Sequence, residues 1–282
     1  MADAVMPLPR PESFGFKVAR RVLWASLYVP VLRDVVARAW PPVTVTHQGA
    51  RFRVFAGRNH QDRTLWSTGR FVECRSVAAM CDAVRGKRCL IVDIGANSGI
   101  YTVMLARSAG EGSQVLAIEP NPVLQRQLRE NIVLNDLEAR VTVHGVALGD
   151  HEGTATLHTY AINLGQSSLR TDRAGKREIT VPLRPLATLM PPRGDFERIV
   201  MKIDVEGVED RVLLPFFDTA TDDQLPDTLL IETAHGNDWN PALMARIDAL
   251  GYRPRFTAEG NTLYDRDRAA GPDTPTERTA TV

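Results

Sequence analysis

The sequence predicts an α/β domain built on a mostly parallel β-sheet, preceded by a small extension of helix and strand. From residue 88 onward, apolar stretches of strand length alternate with helical stretches, and this alternation is typical of βαβ units. Near the end of the chain, RPRFTAEGNTLYDRD has the pattern of an antiparallel hairpin that turns at Glu259–Asn261. Together these observations indicate a parallel sheet with an antiparallel hairpin at its C-terminal end.

Each strand of this sheet is identified by its apolar residues. The five strands are CLIV at 89–92, QVLAIEP, RVTVHGVAL, RIVMKID and TLLIETA. Among the helices, NPVLQRQLRENIVLN starts with Asn121 as N-cap and Pro122 at the first helical position, and NPALMARIDALG repeats this start. In the extension, VTVTHQGARFRVFA alternates apolar with polar residues, as a strand does.

Three regions are predicted along the chain: an extension over 1–70, the α/β domain over 71–267, and a disordered tail over 268–282. Residues 15–40 form a basic helical segment that we expect to cover one face of the domain, with contact to a membrane surface as the alternative. Its apolar run, LWASLYVPVL, is shorter than the roughly 20 residues that span a bilayer. The first residues, MADAVMPLPRPESF, lack the pattern of a secretory signal.

Composition excludes several classes of protein. The 34 basic and 34 acidic residues balance, so no global field favours nucleic acid, and we expect no nucleic-acid partner. The three cysteines lack CxxC pairing, which argues against a disulfide framework or a zinc site and favours a cytoplasmic protein. The sequence does not indicate an oligomeric state.

A glycine-bearing turn follows the first strand. Asp93, Gly95, Asn97 and Gly99 form D-x-G-x-N-x-G, which differs from the G-x-G-x-x-G of dinucleotide sites because Asn97 reduces the room for a pyrophosphate. Glu119 lies 20 residues after Gly99, where an acid holds ribose hydroxyls in such folds. A carboxylate at Asp93 suits a cationic ligand without phosphate, so the pattern predicts S-adenosylmethionine rather than a nicotinamide cofactor.

With these residues, the chain resembles the FkbM family of class I S-adenosylmethionine-dependent methyltransferases. The resemblance covers roughly residues 70–250 and includes VDIGANSGIYT, AIEPNP, ENIVLN, VALGDHEG, NLGQSSL and MKIDVEGVE. It implies a Rossmann-like, seven-stranded sheet whose last strand is antiparallel. It also implies O-methylation of a hydroxyl on a saccharide or natural product.

The resemblance also implies the cofactor contacts. Glu119 would hold the ribose hydroxyls, Asn121 would lie beside the adenosine, and the backbone at Ala147 would meet the adenine. The methionine end of the cofactor would be lined by the residues of the turn: Asp93, Gly95, Ala96, Asn97 and Gly99.

Charged residues at two strand ends are the candidate catalytic groups. Asp204 and Glu206 follow the fourth strand, and Glu232 and His235 end the fifth, so both pairs are expected to face the crevice at the switch in strand order. His235 and Asp204 are the leading candidates for the general base that accepts the proton of the acceptor hydroxyl. Lys202 could pair with a carboxylate or orient the acceptor oxygen.

Other uses of these residues remain open. Asp204, Glu206, Glu232 and His235 could instead hold magnesium or manganese, although their spacing fits no closed metal motif. Asp204 and Glu206 could also do no more than cap the helix that starts near Gly207. A cofactor-binding domain without catalytic activity is a further alternative, but it should lack this polar cluster.

Two further segments are candidates for acceptor contacts. NLGQSSL, at 163–169, is a polar, glycine-bearing loop with the character of a lid. Trp66 and Glu73 precede the α/β domain and match a segment of the family, with simple packing of Trp66 as the alternative.

Overall fold

The structure is a computed structural model that describes residues 41–159, 164–167, 169, 177–234 and 236–268. The expected helix over 15–40 and the tail after 268 therefore lie outside the described residues. Six helices are described: α1 (His60–Thr68), α2 (Cys74–Val84), α3 (Ile100–Ser108), α4 (Pro122–Leu134), α5 (Glu209–Thr219) and α6 (Ala242–Ala249). Strands β1 to β6 are Val43–His47, Ala50–Val54, Cys89–Ile94, Gln114–Ile118, Val141–His144 and Ala147–Gly149. Strands β7 to β12 are Gly153–Thr159, Arg177–Pro185, Arg198–Ile203, Thr228–Glu232, Tyr252–Ala258 and Asn261–Arg266.

Seven of these strands form one sheet in the order β5-β4-β3-β9-β10-β12-β11. Strand β12 is antiparallel to both of its neighbours, and the other pairings in this sheet are parallel. This confirms the predicted seven-stranded, mostly parallel sheet with an antiparallel last strand. The chain runs from β3 outward to β5 and returns to pair β9 with the other side of β3, so the strand order reverses between β3 and β9. Ligands of open α/β sheets bind at such a reversal.

The core lies on both faces of the sheet. Successive side chains of a strand point to opposite faces, and β3 is buried along its whole length. Leu90 packs on one face in a cluster that includes Phe216 of α5 and Leu243 of α6. Ile91 packs on the other face with residues of α2, α3 and the hairpin β1–β2. Burial on both faces explains why the first strand reads as a continuous apolar run.

The hairpin β1–β2 shares the core of the α/β domain, with Phe52 only 1% exposed. Its second strand, β2, is held by Asn131 of α4 and by Asn135, which directly follows α4. Asn131 Oδ1 accepts a hydrogen bond from Arg53 N at 2.6 Å, and Asn135 Oδ1 accepts one from Arg51 N at 2.9 Å. These two residues are the asparagines of the ENIVLN motif, so the motif joins the extension to the domain.

The prediction of one strand over RVTVHGVAL was wrong. The stretch forms β5, which pairs with β4, and β6, which pairs with β8 in a separate three-stranded sheet of order β6-β8-β7. The chain leaves the main sheet after His144. At this point the carbonyl oxygen of His144 accepts a hydrogen bond from Glu119 N, which directly follows β4, at 3.1 Å. At Gly145, a Cβ would lie 2.7 Å from the end of the Gln125 side chain, so a larger residue at the bend would require that side chain to move.

The hairpin predicted near the C-terminus is confirmed as β11–β12, which turns at Glu259 and Gly260. The predicted cap of α4 is also confirmed, because Asn121 accepts a hydrogen bond from Val123 N and Pro122 is the first helical residue. Along the described part of the chain, no helix combines the length and the apolar character needed to cross a bilayer.

Candidate active site

A cleft opens at the carboxyl ends of β3, β4 and β9, at the reversal of strand order. One wall carries the turn after β3, the residues after β9 and the start of β6. The opposite wall comes from the predicted lid segment. Lining residues from these parts are Gly95, Asn97, Glu119, Ala147, Leu164, Gly165, Ser167, Leu169, Asp204 and Glu206.

The turn after β3 can form only because Gly95 has no side chain. Its φ of 72° is in the left-handed region, and a Cβ there would lie 1.8 Å from the carbonyl oxygen of Asp204. The amides of Gly95 and Ala96 both donate to Ile118 O, at 2.9 and 3.0 Å. The turn is thus fixed against the ends of β4 and β9, which leaves its outer surface open to the cleft.

Glu119 holds this turn from the end of β4. Its Oε2 accepts a hydrogen bond from Asn97 N at 2.9 Å, and its Oε1 accepts one from Asn121 N at 2.8 Å. Burial raises the pKa of Glu119 to about 7, although the two backbone N–H groups favour the charged form. The carboxylate therefore lies at the cleft in an environment where its charge depends on pH near neutrality.

Lys202 is buried beneath the turn, with 3% of its side chain exposed. Its Nζ donates to Gly95 O at 2.9 Å and to Ile94 O at 3.3 Å, and it lies 3.4 Å from Asp204 Oδ2. Burial alone would lower the pKa of Lys202, but the nearby carboxylates raise it well above its ordinary value. Of the two predicted uses of Lys202, the structure has the pairing with a carboxylate.

Asp93 is also buried rather than open to the cleft. Its Oδ2 accepts a hydrogen bond from Thr102 Oγ1 at 2.5 Å, and its Oδ1 lies 3.9 Å from Lys202 Nζ. Burial raises the pKa of Asp93, while the charge of Lys202 opposes that shift. The negative charge of Asp93 is therefore balanced by Lys202 inside the protein.

Several carboxylates lie together at the carboxyl ends of β9 and β10. Asp204 has 17% of its side chain exposed and lines the cleft with Glu206, whose φ of 61° is left-handed. Burial and the charges of Asp204 and Glu206 raise the pKa of Glu232 to about 10. The raised pKa favours the protonated form of Glu232 and makes it a poorer candidate for the general base than Asp204.

Sequence reasoning missed Glu209, which is fully buried at the start of α5. Its Oε1 accepts hydrogen bonds from Val205 N and Gly207 N, at 2.9 and 3.2 Å, and its Oε2 accepts one from Trp239 Nε1 at 2.8 Å. The helix begins at Glu209 rather than near Gly207. An acid in the first helical turn was the available signal, because carboxylates are favoured there.

The predicted cofactor residues divide into two groups. Gly95, Asn97, Glu119 and Ala147 line the cleft, whereas Asp93, Ala96, Gly99 and Asn121 are not among its lining residues. Asn121 lies next to the cleft wall, because its Nδ2 donates to Ser167 Oγ at 3.0 Å. These assignments stay predictions.

The predicted catalytic residues Asp204 and Glu206 lie together at the cleft, with Lys202 behind Asp204. His235 lies outside the described residues. Of the two candidates for acceptor contacts, Trp66 is buried in the core, and Glu73 Oε2 accepts a hydrogen bond from Tyr101 at 2.8 Å.

Comparison with known proteins identifies the family. A model of the methyltransferase FkbM domain matches residues 93–254. A protein of Sordaria araneosa named methyltransferase sdnD is 28% identical over 195 residues, an alignment that covers 57% of this chain and 73% of that protein.

Two solved structures resemble the chain at lower identity. An O-methyltransferase from Bacillus cereus in complex with SAH is 14% identical, with 68% of this chain and 81% of that one covered and a TM-score of 0.42. TYW2 of M. jannaschii in complex with AdoMet is 17% identical, with 80% and 87% covered and a TM-score of 0.40. Likeness at this level carries no information about the reaction. Because the family model spans more than half of the 282 residues, the chain belongs to the FkbM family of methyltransferases.

Proposed function

We propose that this methyltransferase uses S-adenosylmethionine to methylate a hydroxyl group of a saccharide or natural product. The observation that carries the proposal is the charge of the cleft. Among the described residues that line it, three are carboxylic acids, Glu119, Asp204 and Glu206, and none is lysine, arginine or histidine. Such a lining favours a cofactor with a positive charge and no phosphate, and it disfavours a dinucleotide, whose pyrophosphate needs cationic or N–H donors.

The lining of the cleft suits the same cofactor. Gly95 and Asn97 of the turn line the cleft, and the methionine end would lie against them. Glu119 would accept hydrogen bonds from the ribose hydroxyls, and the adenine would pack against apolar residues near β6, among them Val146, Ala147 and Leu148. When bound, S-adenosylmethionine supplies an electrophilic methyl group on its sulfonium.

In our proposal, Asp204 is the general base for the acceptor hydroxyl. It is a partly exposed carboxylate that lines the cleft, and the Lys202 ammonium 3.4 Å away supplies a compensating positive charge. The raised pKa of Glu232 favours its protonated form, which is suited to donate a hydrogen bond. Positioned base assistance contributes about 10²–10⁴-fold to such a reaction. The remaining acceleration would come from holding the two reactants in line.

A metal-dependent reaction is disfavoured by how the nearby carboxylates are used. Asp204, Glu209 and Glu232 each offer an oxygen within 4.8 Å of the others. However, Glu209 already accepts three hydrogen bonds from the protein. A divalent cation would have to compete with these donors for Glu209, so we do not include magnesium in the proposed mechanism.

The cofactor is tested by calorimetry of the purified protein with S-adenosylhomocysteine and, in parallel, with NADH. We expect micromolar binding of S-adenosylhomocysteine alone, with the same affinity in magnesium and in a chelator. Binding of NADH instead, or of neither ligand, would overturn the proposed cofactor. A magnesium requirement for turnover would instead support a metal site at the cluster of Asp204, Glu209 and Glu232.

The acceptor is tested next by incubation with labelled S-adenosylmethionine and a panel of acceptors. The panel should contain neutral sugars, glycosylated metabolites, amines and carboxylic acids. We expect transfer to a hydroxyl, located by mass spectrometry of the product. Transfer only to amines or carboxylates would contradict the proposed O-methylation and leave the cofactor assignment intact. The base is tested by comparing Asp204→Asn with His235→Ala. Loss of turnover in His235→Ala but not in Asp204→Asn would contradict the choice of Asp204 as the base.

A further inference from the structure

A short segment that leads into the first turn of α1 touches both walls of the cleft, although it precedes the part of the chain that the family model matches. We propose that this segment, residues 58–62, is a clamp that holds the cofactor-binding turn in its binding conformation. In this proposal Asn59 and Asp62 are positioning residues for methyl transfer. The inference rests on the proposed function, because it takes the turn at 95–99 to be the cofactor site.

Asn59 fixes the side chain of Asn97. Asn59 is 1% exposed, and its Nδ2 donates to Asn97 Oδ1 at 2.7 Å. The same oxygen of Asn97 accepts a hydrogen bond from Ser98 N at 2.8 Å. Asn97 has a φ of 53°, a conformation that is costly for residues other than glycine and persists where neighbours hold it. Asn59 supplies such a neighbour from the extension, and the conformation directs Asn97 N to Glu119.

Asp62 fixes the next residue of the turn. Its Oδ1 accepts a hydrogen bond from Ser98 Oγ at 3.0 Å. Its Oδ2 accepts bonds from Gln127 Nε2 at 2.6 Å and from Phe55 N at 2.8 Å. Buried carboxylates are costly unless they are fully hydrogen-bonded, so this group of donors defines one position for Ser98.

The clamp also reaches the opposite wall. The carbonyl of Arg58 accepts a hydrogen bond from Leu164 N at 2.9 Å, and Leu164 lines the cleft. Consecutive residues therefore hold the lid segment and the cofactor turn: Arg58 binds one wall, and Asn59 binds the other. A displacement of this segment would change the width of the cleft and the geometry of the turn together.

Asn59→Asp is the variant that separates positioning from folding. Asn59 is also the N-cap of α1, where its Oδ1 accepts a hydrogen bond from Gln61 N at 3.1 Å. Aspartate keeps that acceptor and is an equally good N-cap, but it has no N–H to donate to Asn97 Oδ1. We expect the variant to fold with a lower melting temperature, because one buried carboxylate oxygen would lack a donor, and to bind S-adenosylhomocysteine about ten-fold more weakly.

The matched control is Asn240→Asp. Asn240 Oδ1 likewise accepts a hydrogen bond near the start of a helix, from Ala242 N at 3.0 Å, but Asn240 is exposed and does not line the cofactor cleft. We expect this variant to bind S-adenosylhomocysteine with wild-type affinity. Should Asn59→Asp not fold, Ser98→Ala removes the Asp62 contact instead and should give a similar loss of affinity.

Amide hydrogen exchange of residues 95–99 in the ligand-free proteins is the second measurement, and it does not depend on the cofactor. We expect faster exchange at these residues in Asn59→Asp than in the wild type, with unchanged exchange in the sheet. Unchanged affinity in a folded Asn59→Asp or Ser98→Ala variant, or unchanged exchange at 95–99, would overturn the clamp. Failure of the wild type to bind S-adenosylhomocysteine would instead overturn the proposed function, and the exchange result would still decide the clamp.

Discussion

Glu119 should make the affinity for the cofactor depend on pH around neutrality. The side chain is 5% exposed, and its burial raises the pKa to about 7 in the ligand-free protein. Only the ionised carboxylate has both oxygens available as acceptors, for the N–H groups of Asn97 and Asn121 and for ribose hydroxyls. Protonation of Glu119 therefore competes with binding, and affinity should rise as the pH rises.

The size of the effect follows from the pKa. For a group that titrates at about pH 7, the ionised fraction is about one eleventh at pH 6 and about ten elevenths at pH 8. Affinity should therefore increase about ten-fold over this range, which corresponds to about 1.4 kcal/mol, and then level off. In Glu119→Gln, one of the two backbone N–H groups loses its acceptor, at a cost of about 1–3 kcal/mol, so binding weakens and the pH dependence disappears.

Calorimetry with S-adenosylhomocysteine at the two pH values, on the wild type and on Glu119→Gln, measures both effects. Repeating the titration near pH 7 in buffers of different ionisation enthalpy should show release of about half a proton on binding. A flat profile in the wild type would refute the reasoning. The same slope in Glu119→Gln would assign the titration to another group, of which Asp62, with its pKa raised to about 6 by burial, is the nearest candidate.

Three further predictions concern the turn and the carboxylates. Gly95→Ala should lower the free energy of unfolding by about 2–5 kcal/mol and abolish binding of S-adenosylhomocysteine, since its Cβ would lie 1.8 Å from Asp204 O. Gly194→Ala, at a positive φ with open space around it, is the control and should bind normally. Asp204→Asn should reduce kcat about 10²–10⁴-fold and leave cofactor affinity within a few-fold, so wild-type turnover would favour a purely structural role. Glu232 has its pKa raised from 4.5 to about 10, so it holds a proton in the folded protein that the unfolded chain has lost. Urea unfolding of the wild type should therefore show stability that falls between about pH 5 and pH 10, by up to about 1.4 kcal/mol per unit, relative to Glu232→Gln. Parallel pH profiles of the two proteins would contradict the raised pKa.

The fold could be predicted where the local sequence pattern agrees with the way the segment packs in the tertiary structure. The buried strand β3 is a continuous apolar run because both of its faces are covered, and Pro122 follows the cap of α4. The division of RVTVHGVAL into β5 and β6 was not predicted, although Gly145 inside the run is a residue that often marks a bend in a strand. Its cause is a partner far along the chain: Ala147 of β6 pairs with Leu183 of β8, 36 residues later.

The residues of the site likewise include some that could be predicted from the sequence and others that could not. The turn and Glu119 could be predicted because they follow strands at fixed distances, and parallel strands bring their ends together. Asn59 and Glu209 could not, because their roles depend on contacts with Asn97 and Trp239, each at least 30 residues away. Asp93 could be located in the sequence, but its burial beside Lys202 depends on the pairing of β3 with β9.

Lys202 explains how charged residues are tolerated in the buried strand β9. Its ammonium has three N–H groups, and three protein acceptors surround it: Ile94 O, Gly95 O and Asp204 Oδ2. Because these contacts use all three N–H groups, we expect the lysine to act on the protein rather than to orient the acceptor oxygen. It joins the end of β3 to the end of β9 and places a positive charge behind Asp204. This charge balances that of Asp204 in a cleft that has no cation among its described lining residues, which is the environment that the proposed base requires.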